Sequence, residues 1–341
     1  MSQTPDATGL VVRNLVKSFG PVEVLKHIDV TLRPGSVLGL IGENGAGKST
    51  FNNIVAGVLR PTDGEMTLNG QPYAPQSPSD ALARGVALIH QEIRLLPGLS
   101  VAENLFLGAL PTKSGRIDRV QMHERSRDAL AQLGVDIDPR RPVRGLSMAK
   151  QQSIEIAKAI LRKPRYIIFD EPTASLGESD AERIFGQIDR LRADGAGVIY
   201  VSHRLEEIRQ LADHVVCFRD GQKVADWTDT PVAQQDMINA MVGREFTFEH
   251  RAPKPRGKEV ALHVTDLRRD EAFEGISFTV NRGEILGFAG LVGARRTDVV
   301  RAIAGAEPAD GGKIEINGQK LDARKPRAAI DAGIVMVPED R

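Results

Sequence analysis

The chain has 341 residues, a net charge of +0 and a pI of about 7.1, and it contains a single cysteine. The balanced charge argues against a general nucleic-acid surface, and no stretch approaches the 18 consecutive apolar residues that predict a membrane-spanning helix. The length suits one large domain plus part of another. Met1–Leu10 show no secretory signal, and Cys217 lies in an apolar run, which predicts a core residue in a reducing compartment.

The first informative element is the apolar run Val37–Ile41, which predicts a buried strand. A complete G-x-x-x-x-G-K-[ST] pattern follows it directly and leads into a predicted helix. Glycines let backbone N–H groups fold around a polyphosphate, Lys48 can reach the β- and γ-phosphates, and the Ser49 hydroxyl can hold Mg²⁺. The pattern predicts a nucleoside triphosphate site formed by Gly42, Asn44, Gly45, Gly47, Lys48, Ser49 and Thr50.

Two further strands are predicted to end in polar residues with catalytic potential. The apolar run Tyr166–Phe169 ends at Asp170 and Glu171, at the carboxyl end of the strand, where α/β sheets bind ligands. Asp170 is suited to hold Mg²⁺ through water, and Glu171 to polarise the water that attacks the γ-phosphate. The next buried strand, Val198–Val201, ends at Ser202 and His203.

In this order the motifs resemble those of the nucleotide-binding domain of an ABC-type ATPase. The resemblance runs from residue 9 to about 243 and includes a Q-loop at Gln91 and a Leu146-Ser147 signature before a predicted helix. It implies an α/β P-loop NTPase fold with an antiparallel β subdomain and a helical subdomain at about residues 92–160.

The same resemblance assigns roles within the site. It implies that Phe19 stacks on adenine, that Gln91 contacts Mg²⁺, and that His203 senses the γ-phosphate. Ser147 would contact the nucleotide of the opposite site in a two-domain clamp. Catalytic residues are then Glu171, His203 and Gln91, and metal-binding residues are Ser49, Gln91 and Asp170.

An internal repeat shows that the chain begins a second copy of this domain. Ile28–Gly39 recurs as Ile276–Gly287, and the offset of 248 persists to Gly85 and Gly333. We therefore expect a first domain at 1–243, a linker at 244–258 and a partial second domain at 259–341. A basic nucleic-acid arm at 244–258 is the less favoured interpretation, because glutamates interrupt it.

The second copy differs where the chemistry would occur. Arg295 and Arg296 replace Gly47 and Lys48, and Glu339 takes the position of Gln91. Arginine retains the positive charge of lysine but has a different donor geometry. Simple decay of an unused site and a site that binds nucleotide but turns it over poorly both remain open.

Several local stretches resemble the simple-sugar importers of the ribose, xylose, galactose and arabinose type: Ile41–Gly47, His90–Glu92, Leu99–Asn104, Glu155–Ala159 and Met241–Glu245. This implies ATP and Mg²⁺ as cofactors, and a peripheral location at the cytoplasmic face of the bacterial inner membrane. Implied partners are a membrane permease, through it an extracytoplasmic sugar-binding protein, and a second nucleotide-binding domain. No nucleic-acid partner is expected. Arg295, Met148–Lys150 and Gly177 depart from the pattern.

Residues 92–145 are expected to touch the permease, and Leu95, Leu96, Val101, Leu105 and Phe106 form an apolar patch close behind Gln91. Most of these side chains are expected to pack in the core of the helical subdomain, and the exposed members to contact the permease. Two alternatives to an importer motor remain. One is a soluble twin-domain ABC ATPase acting on ribosomes or DNA, although the connector here is short and broken by Pro253 and Pro255. The other is a non-transporting ATP-binding fragment.

Overall fold

A computed structural model of the chain describes residues 8–90, 92–174, 176–228, 230–243, 257, 259–290 and 293–337. The chain divides into two compact units, Met1–Thr247 and Phe248–Arg341. The predicted linker at 244–258 lies outside the described residues except for residue 257. No helix in these described stretches is long and apolar enough to cross a bilayer.

The larger unit alternates strands with helices. Its strands are β1 (Leu10–Phe19), β2 (Val22–Leu32), β3 (Val37–Ile41), β4 (Asp63–Leu68), β5 (Gln71–Pro72), β6 (Val86–Ile89), β7 (Thr112–Lys113), β8 (Arg116–Ile117), β9 (Tyr166–Asp170), β10 (Gly197–Val201), β11 (His214–Arg219) and β12 (Gln222–Trp227). Its helices are α1 (Lys48–Val55), α2 (Pro78–Ala83), α3 (Val101–Leu105), α4 (Arg119–Gln132), α5 (Met148–Ile160), α6 (Glu178–Ala193), α7 (Leu205–Leu211) and α8 (Gln234–Val242).

A six-stranded sheet in the order β12-β11-β3-β10-β9-β6 positions the site. All its neighbouring pairs are parallel except β11 with β12. Every residue of β3 and β10 is buried, as expected for strands covered on both faces, which explains their continuous apolar sequences. Because the central strands run in the same direction, the carboxyl ends of β3, β9 and β10 meet at one edge.

An antiparallel sheet in the order β2-β1-β4-β5 packs beside the central sheet around a shared apolar core. The Tyr166 hydroxyl at the start of β9 donates a 2.6 Å hydrogen bond to Oδ1 of Asn69, which follows β4. This bond joins the two sheets. The fold class predicted from the sequence is confirmed, with its antiparallel sheet present.

Between β6 and β9 lie α3, the β7-β8 hairpin, α4 and α5, and the three helices pack on one another. The apolar side chains of the patch close behind residue 91 are mostly core residues. Val101, Leu105 and Phe106 are buried, whereas Leu96 is 46% exposed. The expectation that most of the patch packs inside the subdomain is confirmed for these three residues, which supply the contacts that hold α3 against α5 and α4.

The smaller unit repeats the start of the larger one. It contains β13 (Val260–Arg269), β14 (Phe273–Asn281), α9 (Arg296–Ile303), β15 (Gly311–Ile316), β16 (Gln319–Lys320) and α10 (Pro326–Asp331). Its sheet order, β14-β13-β15-β16, matches that of β2-β1-β4-β5. The counterpart of β3, residues 285–289, forms no strand, and Ile285 is 97% exposed. No strand in the described part of this unit lies alongside it to complete a parallel ladder.

Candidate functional site

The phosphate loop lies between β3 and α1 and depends on glycine for its path. Gly42, Gly45 and Gly47 have φ angles of 150°, 83° and 101°, which disfavour other residues. A Cβ at Gly42 would lie 2.3 Å from the carbonyl oxygen of Phe218, and one at Gly47 would lie 2.6 Å from Cδ2 of Leu25. The loop is therefore packed closely against β11 and β2, with its backbone directed into a cavity.

Lys48 begins α1 and is only 7% exposed. Its Nζ donates to the carbonyl oxygens of Gly42 at 2.7 Å and Glu43 at 3.0 Å, two residues of the loop. Burial lowers the pKa of Lys48, and the nearby carboxylates of Glu171 and Asp170 act against that shift. The site thus combines a partly desolvated cation with two acidic groups.

Asp170 ends β9 beside this lysine. Burial and the adjacent Glu171 carboxylate raise the pKa of Asp170. The fully buried side chain of Asn52, one turn after Lys48 on α1, has no close hydrogen-bond partner among the described residues. It lies close enough to Asp170 for its amide to oppose the rise in the pKa of that carboxyl, although the two side chains are not in hydrogen-bonding geometry. Sequence reasoning missed Asn52, although a polar residue on the apolar face of a predicted helix was an available signal.

Glu171 and His203 come together at the sheet edge. The Glu171 N–H donates to the carbonyl oxygen of Val201 at 3.0 Å, so the turn after β9 is tied to β10. Glu171 has a φ of 49°, in the left-handed region that non-glycine residues rarely adopt, as is typical of functional sites. Its Oε2 lies 3.2 Å from Nδ1 of His203. A carboxylate and an imidazole are therefore paired as the sequence order suggested.

These groups face an open cavity of about 1250 Å³. Its lining contains nine of the residues predicted from the sequence: Gly42, Asn44, Gly45, Gly47, Lys48, Ser49, Thr50, Glu171 and His203. Val24, Glu43 and Met241 complete the lining and were not predicted. Asp170 lies beneath this surface rather than on it, and Gln91 lies outside the described residues.

Two predicted residues do not line the cavity. Phe19 lies at the end of β1, is 47% exposed, and has the Lys17 ammonium group 4.9 Å above its ring. Ser147 is the N-cap of α5, and its hydroxyl accepts a 3.4 Å hydrogen bond from the N–H of Lys150. Its position at a helix N-terminus agrees with the sequence analysis, while its nucleotide contact stays a prediction.

The counterpart of the loop in the smaller unit has different chemistry. Arg295 has a φ of 59°, and its side chain pairs at 3.4 Å with Asp298, which takes the position of Thr50. Asp298 brings negative charge to the first turn of α9. The hairpin between Leu267 and Ile276 is four residues shorter than that between Leu15 and Ile28, so it has no counterpart of the tip that carries Phe19. Glu339 lies outside the described residues.

Solved structures with this fold are ATP-binding cassettes. A nucleotide-free ATP-binding cassette from an ABC transporter has a TM-score of 0.59 at 24% identity and covers 69% of this chain and 95% of its own. A cassette solved in its ADP conformation has a TM-score of 0.58 at 25% identity, with coverage of 69% and 94%.

Sequence relatives agree with these structures. A ribose import ATP-binding protein of Streptomyces avermitilis is 44% identical over all of this chain and 68% of its own length. An arabinose import ATP-binding protein of Vibrio parahaemolyticus is 43% identical over 96% of this chain and 65% of its own. This chain thus spans about two thirds of such relatives. The ABC transporter family model matches residues 25–174 and again 273–341, so the chain belongs to the ABC transporter family of ATPases.

Proposed function

We propose that this chain binds and hydrolyses ATP as part of the motor subunit of a bacterial importer for a monosaccharide or a related sugar. The proposal rests on one observation: Lys48, the Glu171–His203 pair and the glycines of the phosphate loop all line the same cavity. A phosphate loop alone indicates nucleotide binding. The added carboxylate–imidazole pair supplies groups suited to hydrolysis.

The residues that hold nucleotide follow from the loop geometry. Backbone N–H groups of the loop surround the phosphates, and the N-terminus of α1 adds the positive end of its dipole. Lys48 releases its contacts with the Gly42 and Glu43 carbonyl oxygens to reach the β- and γ-phosphates. Phe19 stacks on adenine from the tip of the β1-β2 hairpin. Its exposed ring allows that approach.

The residues also fit a hard cation such as Mg²⁺. Asp170 is an oxygen ligand whose ionised form costs free energy because of burial and the neighbouring Glu171, and a cation would remove that cost. Ser49 adds a hydroxyl at the start of α1, and Gln91 is the third proposed ligand. When bound, Mg²⁺ neutralises charge on the β- and γ-phosphate oxygens.

Hydrolysis is assigned to the pair at the sheet edge. Glu171 orients and polarises the attacking water, and His203, 3.2 Å away, holds the Glu171 carboxylate and senses the γ-phosphate. Phosphoryl transfer needs little covalent chemistry from the protein, so the positions of these groups determine the rate. Ser147, outside this cavity, serves the nucleotide of a partner domain in a closed clamp.

The importer assignment rests on the relatives, whose names describe ribose and arabinose import. We infer a peripheral location at the cytoplasmic face of the inner membrane. The proposed partners are a permease and, through it, an extracytoplasmic sugar-binding protein. Deleting the gene in its source bacterium should abolish uptake of one labelled pentose or hexose in a panel of sugars. Unchanged uptake across the panel would contradict the importer assignment.

ATP binding and hydrolysis are tested separately with two variants. Lys48→Ala should weaken binding of a fluorescent ATP analogue at least tenfold, because it removes a partly desolvated cation from the phosphate site. Glu171→Gln should leave binding intact and lower ATP turnover at least 100-fold, since the amide cannot polarise water. Arg183→Ala, an exposed change on α6, is the matched control. Loss of binding in Glu171→Gln would show that its role is misassigned.

A further inference from the structure

A buried carboxylate outside the phosphate-loop cavity forms hydrogen bonds with the two loops that carry Glu171 and His203. Glu207 is the third residue of α7 and is 6% exposed. It accepts hydrogen bonds from three hydroxyl groups: Thr173 at 2.8 and 2.9 Å to its two oxygens, Tyr200 at 2.9 Å and Ser202 at 2.7 Å. A buried carboxylate is costly unless such donors satisfy it, so this cluster is built around Glu207.

Two of the three hydroxyl donors lie next to the catalytic pair in the sequence. Thr173 lies two residues after Glu171, and Ser202 comes directly before His203. Arg204, directly after His203, also joins the cluster. Its N–H donates to Oγ of Ser202 at 3.0 Å, and its Nη1 lies 3.5 Å from Oε1 of Glu207. Ser202 and Arg204, on either side of His203, thus both contact the Glu207 carboxylate, which also accepts hydrogen bonds from Thr173 in the loop after Glu171.

The catalytic pair needs such support. The His203 side chain is 56% exposed, so packing alone does not fix the position of its ring. Glu171 occupies a left-handed backbone conformation with a φ of 49°, which persists only where surrounding contacts determine it. The hydrogen bonds of Glu207 reach the side chains of Thr173 and Ser202, one in each loop, and so link the two loops through a single carboxylate.

We propose that Glu207 is a positioning residue for ATP hydrolysis: through Thr173 and Ser202 it holds the loops of Glu171 and His203 at the separation that catalysis requires. The inference rests on the proposed ATPase function. Glu207 does not line the cavity, so it acts through these loops and not by touching nucleotide.

Thr173 and Tyr200 provide variants that separate positioning from simple stability. Thr173→Val keeps the shape of the side chain and removes the hydroxyl, whereas Thr173→Ser keeps the hydroxyl. Tyr200→Phe removes a hydrogen bond to Oε2 of Glu207, the oxygen that Ser202 also contacts. Tyr200 lies in β10 of the central sheet and in neither loop, so this change leaves the hydrogen bonds of Thr173 and Ser202 to Glu207 in place. Burial raises the pKa of Tyr200, so its hydroxyl remains a donor in the unchanged chain.

The first measurement is ATP turnover and the KM for ATP with the full chain. Glu207→Gln and Thr173→Val should lower kcat about 10–100-fold with KM unchanged, because a small displacement of aligned groups has effects of that size. Thr173→Ser and Tyr200→Phe should stay within about threefold of the unchanged chain, on the same principle. Equal losses in Tyr200→Phe, or a full rate in both Glu207→Gln and Thr173→Val, would overturn the proposal.

A second readout does not depend on turnover. In the chain labelled with ¹⁵N-histidine, the ring nitrogen resonances of His203, assigned with His203→Gln, report the contact of its Nδ1 with the Glu171 carboxylate. We expect them to move in Glu207→Gln and Thr173→Val and to remain in place in Thr173→Ser and Tyr200→Phe. Unmoved resonances in the first two variants would refute the positioning role. Absence of ATP turnover in the unchanged chain would instead count against the proposed function.

Discussion

At the scale of single residues, burial controls the reactivity of Cys217. The thiol is fully buried in β11, and burial raises its pKa to about 11. The thiolate fraction at pH 8 is then on the order of one in a thousand, since each pH unit below the pKa reduces it about tenfold. The sequence interpretation of Cys217 as a core residue is confirmed.

We therefore expect alkylation of Cys217 by iodoacetamide at pH 8 to be at least about 100-fold slower than that of a cysteine peptide, because both access and the thiolate fraction are low. Mass spectrometry follows the reaction directly, because the chain contains one cysteine. Adding guanidinium chloride should restore the peptide rate. Rapid modification of the folded chain would show that β11 opens readily.

Residues also show where prediction from sequence succeeds and where it fails. Lys48 and Glu171 could be located because their neighbours in sequence define the motif, and the structure places both on one cavity. Glu207 could not, since its role depends on contacts between elements far apart in the chain, and Asn52 gave only the signal of a polar residue on an apolar helix face. Glu207 looks like an ordinary acidic residue in the first turn of a helix, and only the fold brings Thr173 to it.

At the scale of elements, the segment before α3 depends on one buried amide. Asn104 is fully buried on α3, and its Oδ1 accepts from the N–H of Leu96 at 2.7 Å. Its Nδ2 donates to the carbonyl oxygens of Leu96 and Ser100, each at 3.0 Å. Residues 96–100 form no helix or strand, so Asn104 replaces the hydrogen bonds that regular structure would provide.

Asn104→Leu should destabilise the larger unit by about 2–3 kcal/mol, because buried backbone groups lose their partners while the branched shape of the side chain is kept. Urea unfolding followed by fluorescence measures this loss. Gln121→Leu, on the exposed face of α4, is the matched control and should change stability by less than about 0.5 kcal/mol. Equal stability of the two variants would mean that water replaces Asn104 without cost.

Some secondary-structure elements could be predicted from the sequence and others could not. Strands β3, β9 and β10 were predictable because both faces are buried, which makes their sequences continuously apolar. The β7-β8 hairpin has strands of two residues each and offers no periodicity to detect. Burial of Val101 and Leu105 depends on which helices pack together, and apolar spacing alone does not distinguish that contact from a partner surface.

At the scale of the whole molecule, the two units repeat one sequence pattern but contain apolar cores of different size. The larger unit contains two extensive apolar cores. The described core of the smaller unit consists of Val264, Leu267, Val299, Ala302, Ile303 and Ile314. In the smaller unit, apolar residues at the positions of β3 and β6 are exposed, including Ile285 at 97% and Val337 at 89%. The repeat was evident from the sequence, whereas this imbalance required the fold.

This imbalance predicts that the smaller unit unfolds first in urea, because less buried apolar area stabilises it. The single tryptophan, Trp227, lies in β12 of the larger unit, so its fluorescence reports that unit alone, while far-UV circular dichroism reports both. The two transitions should not coincide. Coincident transitions would mean that the units unfold together.

The effect of nucleotide on the two unfolding transitions tests which of the two loops binds ATP. Mg-ATP at 100 times its Kd should stabilise the larger unit by about 2.7 kcal/mol and shift the fluorescence transition. At the same ATP concentration, Lys48→Ala should lower that stabilisation to about 1.4 kcal/mol or less, because its binding is at least about tenfold weaker. The transition seen only by circular dichroism should not move, because Arg295 takes the place of a loop glycine and pairs with Asp298, and the hairpin is four residues shorter than the one that carries Phe19. Movement of that transition would show that the loop carrying Arg295 and Arg296 binds nucleotide despite its altered chemistry.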